Sequence, residues 1–228
     1  MSRAAFPLLA MLLAMLLAAP LVAAPPALRV KASPAVAPCV VAAGLEYQRA
    51  TGRPVAVETT AVGSPESAHG ADVVVAADQE LHRVIESGVS HPELDVEVAR
   101  IPWVLAGAPG TTAPDLRALG RSATLVRSLD GVVARETWRR LRIQGFAPAR
   151  VQRVRETPFR LEPGEAAVVP LSLAGPGPVT TLDVPPLSVH ALGIAASTRK
   201  DAGRAFLDFL TGESGNAAFR ACGRAEAR

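Results

Sequence analysis

Two serine–proline pairs, Ser33-Pro34 and Ser64-Pro65, stand where segments of helical spacing begin. Serine is a preferred helix N-cap and proline a preferred first helical residue. A serine hydroxyl beside the unpaired amides of a first turn is also a set of neutral hydrogen-bond donors. The helix macrodipole favours negative charge at that end. On the residues alone both serines are helix caps, each worth about 1 kcal/mol and needing no ligand.

Other chemistry is sparse. His69, His82, His91 and His190 are scattered, and only Asp78 and His82 stand four apart on one helical segment. A metal centre needs more convergent ligands, so neither a metal nor a cofactor is expected. No GxSxG, HExxH or CxxC pattern occurs, and an enzyme is not expected. Arg135, Arg139, Arg140, Arg142, Arg150, Arg153, Arg155 and Arg160 form a basic stretch. It reads as the solvated face of a helix and its loop, with a docking surface for an acidic partner as the alternative. The net charge of +3 is too small to point to nucleic acid. Trp103 and Trp138 read as core.

The N-terminus has the order of an export signal. Arg3 is followed by an apolar run from Ala4 to Ala19, then Pro20 and small residues through Ala24. Residues 1–24 are therefore expected to be a signal peptide, with the mature domain outside the cytoplasm. Pro25 is unfavourable just after a cut, which leaves an uncleaved anchor as the alternative. Cys39 and Cys222 are the only cysteines, and in an oxidising compartment they form either one long-range disulfide or two separate buried thiols.

With 49% hydrophobic and 20% charged residues the chain is globular, and 4% aromatics imply a core of Ala, Val and Leu. Strands are expected over residues 28–32, 55–60, 71–76, 100–106, 123–127, 150–154, 165–169, 179–184 and 188–195. Helices are expected over 35–50, after Ser64-Pro65, and over 78–87, 131–144, 201–210 and 213–222, with Gly52, Gly88 and Gly145 as stops. Gly175-Pro176-Gly177-Pro178 is a rigid linker. Such alternation is α/β with mainly parallel strands.

Several segments together resemble a known family. Gly70-Ala71-Asp72-Val73-Val74-Val75-Ala76-Ala77-Asp78 resembles the "PADVFISAD" signature of periplasmic molybdate-binding proteins, the substrate-binding components of ABC importers. Leu28 to Pro34 is similar to their opening strand and serine, and Glu46 to Gly52 to their "F-x-x-x-T-G" helix end. Asp201 to Leu210 resembles their "AkaFldfL" helix, and Phe219 to Gly223 their closing "f-x-x-y-G". The similarity spans nearly the whole mature chain in the same order.

This resemblance implies a two-lobed periplasmic binding protein fold, each lobe a mainly parallel sheet flanked by helices. The crossings are expected near Ile101-Pro102 and Val184-Pro185-Pro186, giving lobe one as 27–102 and 187–228 and lobe two as 103–186. Both cysteine regions then share lobe one. The implied role is to bind a small tetrahedral oxyanion, molybdate or tungstate first, as a monomer serving an inner-membrane ABC permease. Ser33 matches the family's first ligand serine. Ser64 is the candidate for the second, with Ser67 as fallback, and Ala77, next to last in the signature segment, is expected at the ligand too. Ser128 and Leu129, in Ser128-Leu129-Asp130-Gly131, occupy the place of the ligand-touching turn of lobe two. Pro170 takes the position of a family tyrosine and Leu173 that of an aspartate, so a phenolic donor is missing, and Glu66 and Asp130 add acidic groups. The alternative is a divergent accessory or sensor protein of the same fold with an altered or lost anion site.

Overall fold

Leu28, Val30 and Ala32 alternate with Arg29 and Lys31, and strand β1 (Leu28–Ala32) buries the three apolar residues. The structure is a computed structural model that describes residues 26–115, 124–127, 132–143, 145–146, 151–154 and 160–222. The expected signal segment and Ser128-Leu129-Asp130-Gly131 lie outside the described residues. Strand β3 (Val73–Ala77) is buried at every position, as a central strand covered on both faces must be. It lies between β1 and β10 (Leu187–Ile194); β2 (Val55–Thr59) and β4 (Ser90–Ile101) form the edges, in the order β2-β1-β3-β10-β4.

The second sheet repeats that plan. It contains β5 (Trp103–Gly107), β6 (Thr124–Arg127), β7 (Val151–Val154), β8 (Glu165–Pro170) and β9 (Val179–Thr181), in the order β7-β6-β8-β5-β9. In each sheet four strands run one way. The exceptions are β10 in the first and β5 in the second, each antiparallel to both its neighbours and each the first strand after the chain changes sheets.

Five helices flank the sheets among the described residues: α1 (Ala37–Thr51), α2 (Asp78–Glu86), α3 (Val132–Ile143), α4 (Lys200–Thr211) and α5 (Glu213–Ala221). Gly52 ends α1 in the left-handed conformation at φ 72°, where a side chain would be strained. Helix α4 buries Phe206, Leu207 and Leu210, and Tyr47 of α1 meets Phe206 and Phe209 edge-on at 5.2 and 5.3 Å. One apolar core runs through both sheets, from Val75, Val189 and Phe206 to Trp103, Leu105, Leu141 and Ala166. On the opposite face of the first sheet α2 packs Leu81 and Val84 over Val74, Ala76 and Leu192.

Several expected boundaries move. The strand expected over 100–106 is two strands in different sheets, broken at Pro102, which has no amide to donate. Strand β4 begins at Ser90, ahead of any strand expected there, although Glu93-Leu94-Asp95-Val96-Glu97-Val98 alternates polar and apolar. Strand β9 stops at Thr181 rather than at Val184. The helix expected after Ser64-Pro65 is a single 3-10 turn, Pro65–Ala68.

Cys39 and Cys222 are joined by a disulfide with a Cα–Cα separation of 5.1 Å, so the two-thiol alternative falls. The bridge ties α1 to the residue that follows α5, across 183 positions. Asp72, from the resemblance segment, is buried and structural. One oxygen accepts the Arg29 amide at 2.8 Å, the other accepts the Ser197 hydroxyl at 2.7 Å, and Arg199 neutralises it at 3.2 Å. It locks β1 to the turn after β10, because an unpaired buried carboxylate would be costly.

Candidate functional site

In an open sheet of mostly parallel strands, ligands bind beyond the carboxyl ends of the strands. In the first sheet those ends are held together: the Ser33 amide donates to Val75 O at 3.0 Å, and the Thr60 amide to Ala32 O at 3.0 Å. In the second sheet β8 ends at Pro170, opposite Trp103. The Leu171 amide then donates to Pro102 O at 2.9 Å, and a 3-10 turn follows at Leu171–Leu173. From that turn Ser172 Oγ donates to Ala35 O at 2.6 Å, so the two halves meet directly beside Ser33.

Ser33 is fully buried. Helix α1 begins only at Ala37, with Val36 in the N-cap place and no side-chain cap, which corrects the expectation that Ser33 caps it. The Ser33 carbonyl does the local work, accepting from Val36 at 3.0 Å and Ala37 at 2.9 Å. Its hydroxyl makes no hydrogen bond of ordinary geometry, although it lies near enough to the Glu80 carboxylate to favour that group's charged form. A buried hydroxyl without a partner is unfavourable unless something else uses it. The other described orphan, His91 Nδ1, lies at the far end of β4, about ten residues and roughly 30 Å from the cleft.

Ala77 ends β3 and leads into α2. Its amide donates to Glu80 Oε2 at 3.1 Å, the return half of a capping box. Glu80 is half-buried. Burial pushes its carboxyl above the usual range, with Ser33 and the Ala77 amide opposing. Glu80 was missed in the sequence reading, and the Ala77-x-x-Glu80 spacing was the available signal. Ser172 was also missed, and nothing local marks it.

Ser64 and Ser67 are a different matter. Ser64 heads the Pro65–Ala68 turn without capping it through its side chain; its hydroxyl instead holds the exposed Glu66 carboxylate below its usual range. Ser67 Oγ turns back to Ser64 O at 2.5 Å. Both hydroxyls are engaged locally. Pro170 is buried and has no amide to offer. Ser128 and Leu129 lie outside the described residues.

Beside the first turn of α2, a cavity of about 60 Å³ is lined by Gln79, Trp103, Thr137, Arg140 and residues 184–187 of the returning chain. Gln79 comes from the helix that carries Glu80, while Thr137 and Arg140 come from α3 of the second half. Ser33, the Ala77 amide and Glu80 thus form one cluster in the first half, and the neighbouring cavity is shared between Gln79 of that half and Thr137 and Arg140 of the second. Among the described residues no cluster of three or more His, Cys, Asp or Glu could hold a metal, and no helix is long and apolar enough to cross a membrane.

Two sheets of one strand order, exchanging chain twice and meeting at their carboxyl ends, define a two-lobed α/β binding protein fold. The family model for bacterial extracellular solute-binding proteins matches residues 28–224, and the chain belongs to that family. Solved structures agree on the fold. The substrate binding domain of a putative molybdenum ABC transporter from Clostridium difficile aligns with TM-score 0.63 at 14% identity, covering 86% of this chain and 96% of its own. The periplasmic molybdate-binding protein of Azotobacter vinelandii aligns with TM-score 0.61 at 15% identity, covering 86% and 97%. The sulfate-binding protein SubI from Mycobacterium tuberculosis H37Rv aligns with TM-score 0.58 at 16% identity, covering 88% of each chain. A search of curated proteins gave no match. The family is one of binding proteins rather than enzymes.

Proposed function

We propose that this chain is a periplasmic solute-binding protein that captures a small tetrahedral oxyanion, with molybdate or tungstate first, and delivers it as a monomer to an inner-membrane ABC permease. In this reading residues 1–24 are the export signal, residues 27–102 and 187–228 form lobe one, and residues 103–186 form lobe two. The observation that carries it is the buried, unpartnered hydroxyl of Ser33 beside the end of β3, in a member of the solute-binding family. Ser33 and the Ala77 amide supply neutral donors from lobe one; for lobe two the family resemblance assigns Ser128 and Leu129, which lie outside the described residues. Ser64 and Ser67 contribute less: both are half-exposed, Ser64 lies beside the exposed Glu66, and the Ser67 hydroxyl donates to Ser64 O. Because Ser33 is fully buried, entry requires the halves to part at the Ser172–Ala35 bond.

Thermal denaturation of the mature protein with molybdate, tungstate, sulfate and phosphate tests this. A ligand at a hundred times its Kd adds about 2.7 kcal/mol of stability. If none of the four raises Tm, the oxyanion reading is wrong. A second reading, a sensor or accessory protein with an altered anion site, is favoured by Pro170 in place of a donor and by Glu80 at the site.

A further inference from the structure

The seat that an oxyanion would take is already shared with an anionic side chain. Ser33 Oγ is buried, makes no hydrogen bond of ordinary geometry and lies close to the Glu80 carboxylate, and the Ser33 amide is pinned to Val75 O, two residues before Ala77. The Ala77 amide points to Glu80 Oε2 at 3.1 Å. A ligand that uses the Ser33 hydroxyl and the Ala77 amide therefore displaces the Glu80 carboxylate from that amide and lies against it. An ionised carboxylate only accepts hydrogen bonds, so a fully ionised oxyanion beside it brings repulsion and no bond. One proton between the two removes the repulsion and makes a short, charge-assisted hydrogen bond.

We propose that an oxyanion enters the Ser33 site together with one proton, shared between Glu80 and a ligand oxygen, so that Glu80 sets the ligand class. A hydrogen-bearing tetrahedral oxyanion such as hydrogen phosphate brings that proton itself. Molybdate or sulfate must draw it from solvent. The inference rests on the oxyanion reading of the site and deepens it.

Other charges around α2 do not substitute for this proton. Asp78 and Arg83 share its helix, and Glu66 lies on the Pro65–Ala68 turn, bonded to Ser64. Under α2, His190 pairs with Asp95 at 2.9 Å and Glu97 pairs with Arg100 at 2.7 Å. Arg140 of α3 lines the cavity beside Gln79. None of them is a cause of the raised Glu80 pKa, which follows from burial, with the Ser33 hydroxyl and the Ala77 amide opposing it.

Isothermal titration calorimetry of the mature, disulfide-intact protein with sulfate, molybdate and phosphate, between pH 6 and 8, reads the proposal directly. Titration in two buffers of different ionisation enthalpy counts the protons taken up. The expected result is uptake of one proton per sulfate or molybdate, with affinity falling up to about tenfold per pH unit once Glu80 ionises in the free protein. Phosphate should bind more tightly than sulfate at pH 8. Glu80→Gln, which keeps an acceptor for the Ala77 amide, should flatten the sulfate and molybdate profiles and erase the preference for phosphate. Binding by Glu80→Gln alone, with none by the wild type, overturns the proposal, because Glu80 then excludes oxyanions rather than sharing a proton with them. Wild-type binding of sulfate or molybdate with no proton uptake and a flat profile overturns it and leaves the oxyanion reading standing. Binding of no oxyanion by either protein overturns both.

Discussion

Ser33-Pro34 and Ser64-Pro65 are the same dipeptide placed after strands of the same sheet, and they meet different fates. Ser33 follows β1, whose neighbours are β2 and β3, and its hydroxyl is sealed from solvent beside Glu80 without a hydrogen bond of ordinary geometry. Ser64 follows edge strand β2 after a short loop, stays half-exposed, and gives its hydroxyl to Glu66. A serine–proline pair thus marks where a chain turns after a strand, while depth in the sheet decides whether its hydroxyl is buried. The surroundings differ too. The chain after Ser33 is anchored by the Cys39–Cys222 bridge and by Ser172, whereas the Ser64 turn is held by the local Ser67–Ser64 bond.

The largest effect should come from the anchor. Replacing Cys39 and Cys222 by serine should cost about 2–5 kcal/mol, because the bridge constrains a long loop in the unfolded chain. Urea unfolding with and without reductant measures it, and an unchanged midpoint would mean that the bridge does not stabilise the fold.

The serines themselves should separate next. Ser33→Ala removes a buried hydroxyl that makes no hydrogen bond of ordinary geometry and lies beside the Glu80 carboxylate, so stability should change little. Oxyanion affinity should fall by about 1.5–3 kcal/mol, or roughly ten- to a hundredfold. Ser64→Ala should leave affinity nearly unchanged. Calorimetry on both variants checks the pair, and equal losses would erase the distinction between the two sites.

Ser172→Ala deletes a buried bond across the cleft and should cost about 1 kcal/mol, read from Tm, together with faster ligand release in stopped-flow measurements. Glu80 supplies a pH signature. Its folded pKa lies above the usual 4.5, so the folded state holds the proton more tightly than the unfolded one. Stability from this group is present below 4.5 and is lost as pH rises through the folded pKa. The Tm advantage of Glu80→Gln over wild type should therefore grow from pH 4 to pH 8; a constant difference would place the carboxylate in solvent. The smallest effect is at the other serine. Without the Ser64 hydroxyl, Glu66 should titrate back up toward its usual 4.5 in an NMR pH series, with no change in the unfolding midpoint.

Much of the secondary structure was legible because its causes are local. The apolar run from Val73 to Ala77, the alternation in Leu28–Ala32, and Gly52 after Thr51 each specify an element through propensity, burial pattern or backbone freedom. The candidate site was legible only in part. Ser33 was visible as a helix opener, yet the helix starts at Ala37, and the feature that matters is an absence of partners. Ser128 and Leu129 fall outside the described residues.

By itself the sequence determined the α/β class, most of the order of strands and helices, and that two cysteines were available to pair. Tertiary structure alone decided that Cys39 meets Cys222, that Asp72 is neutralised by Arg199, and that Ser172 reaches Ala35 from 137 residues away. It also decided which of two identical Ser-Pro openings buries its hydroxyl, and that Glu80 stands beside it. The physical reason is range. Turn, cap and strand preferences act within a few residues, whereas burial and hydrogen-bond satisfaction are set by whatever the fold brings alongside.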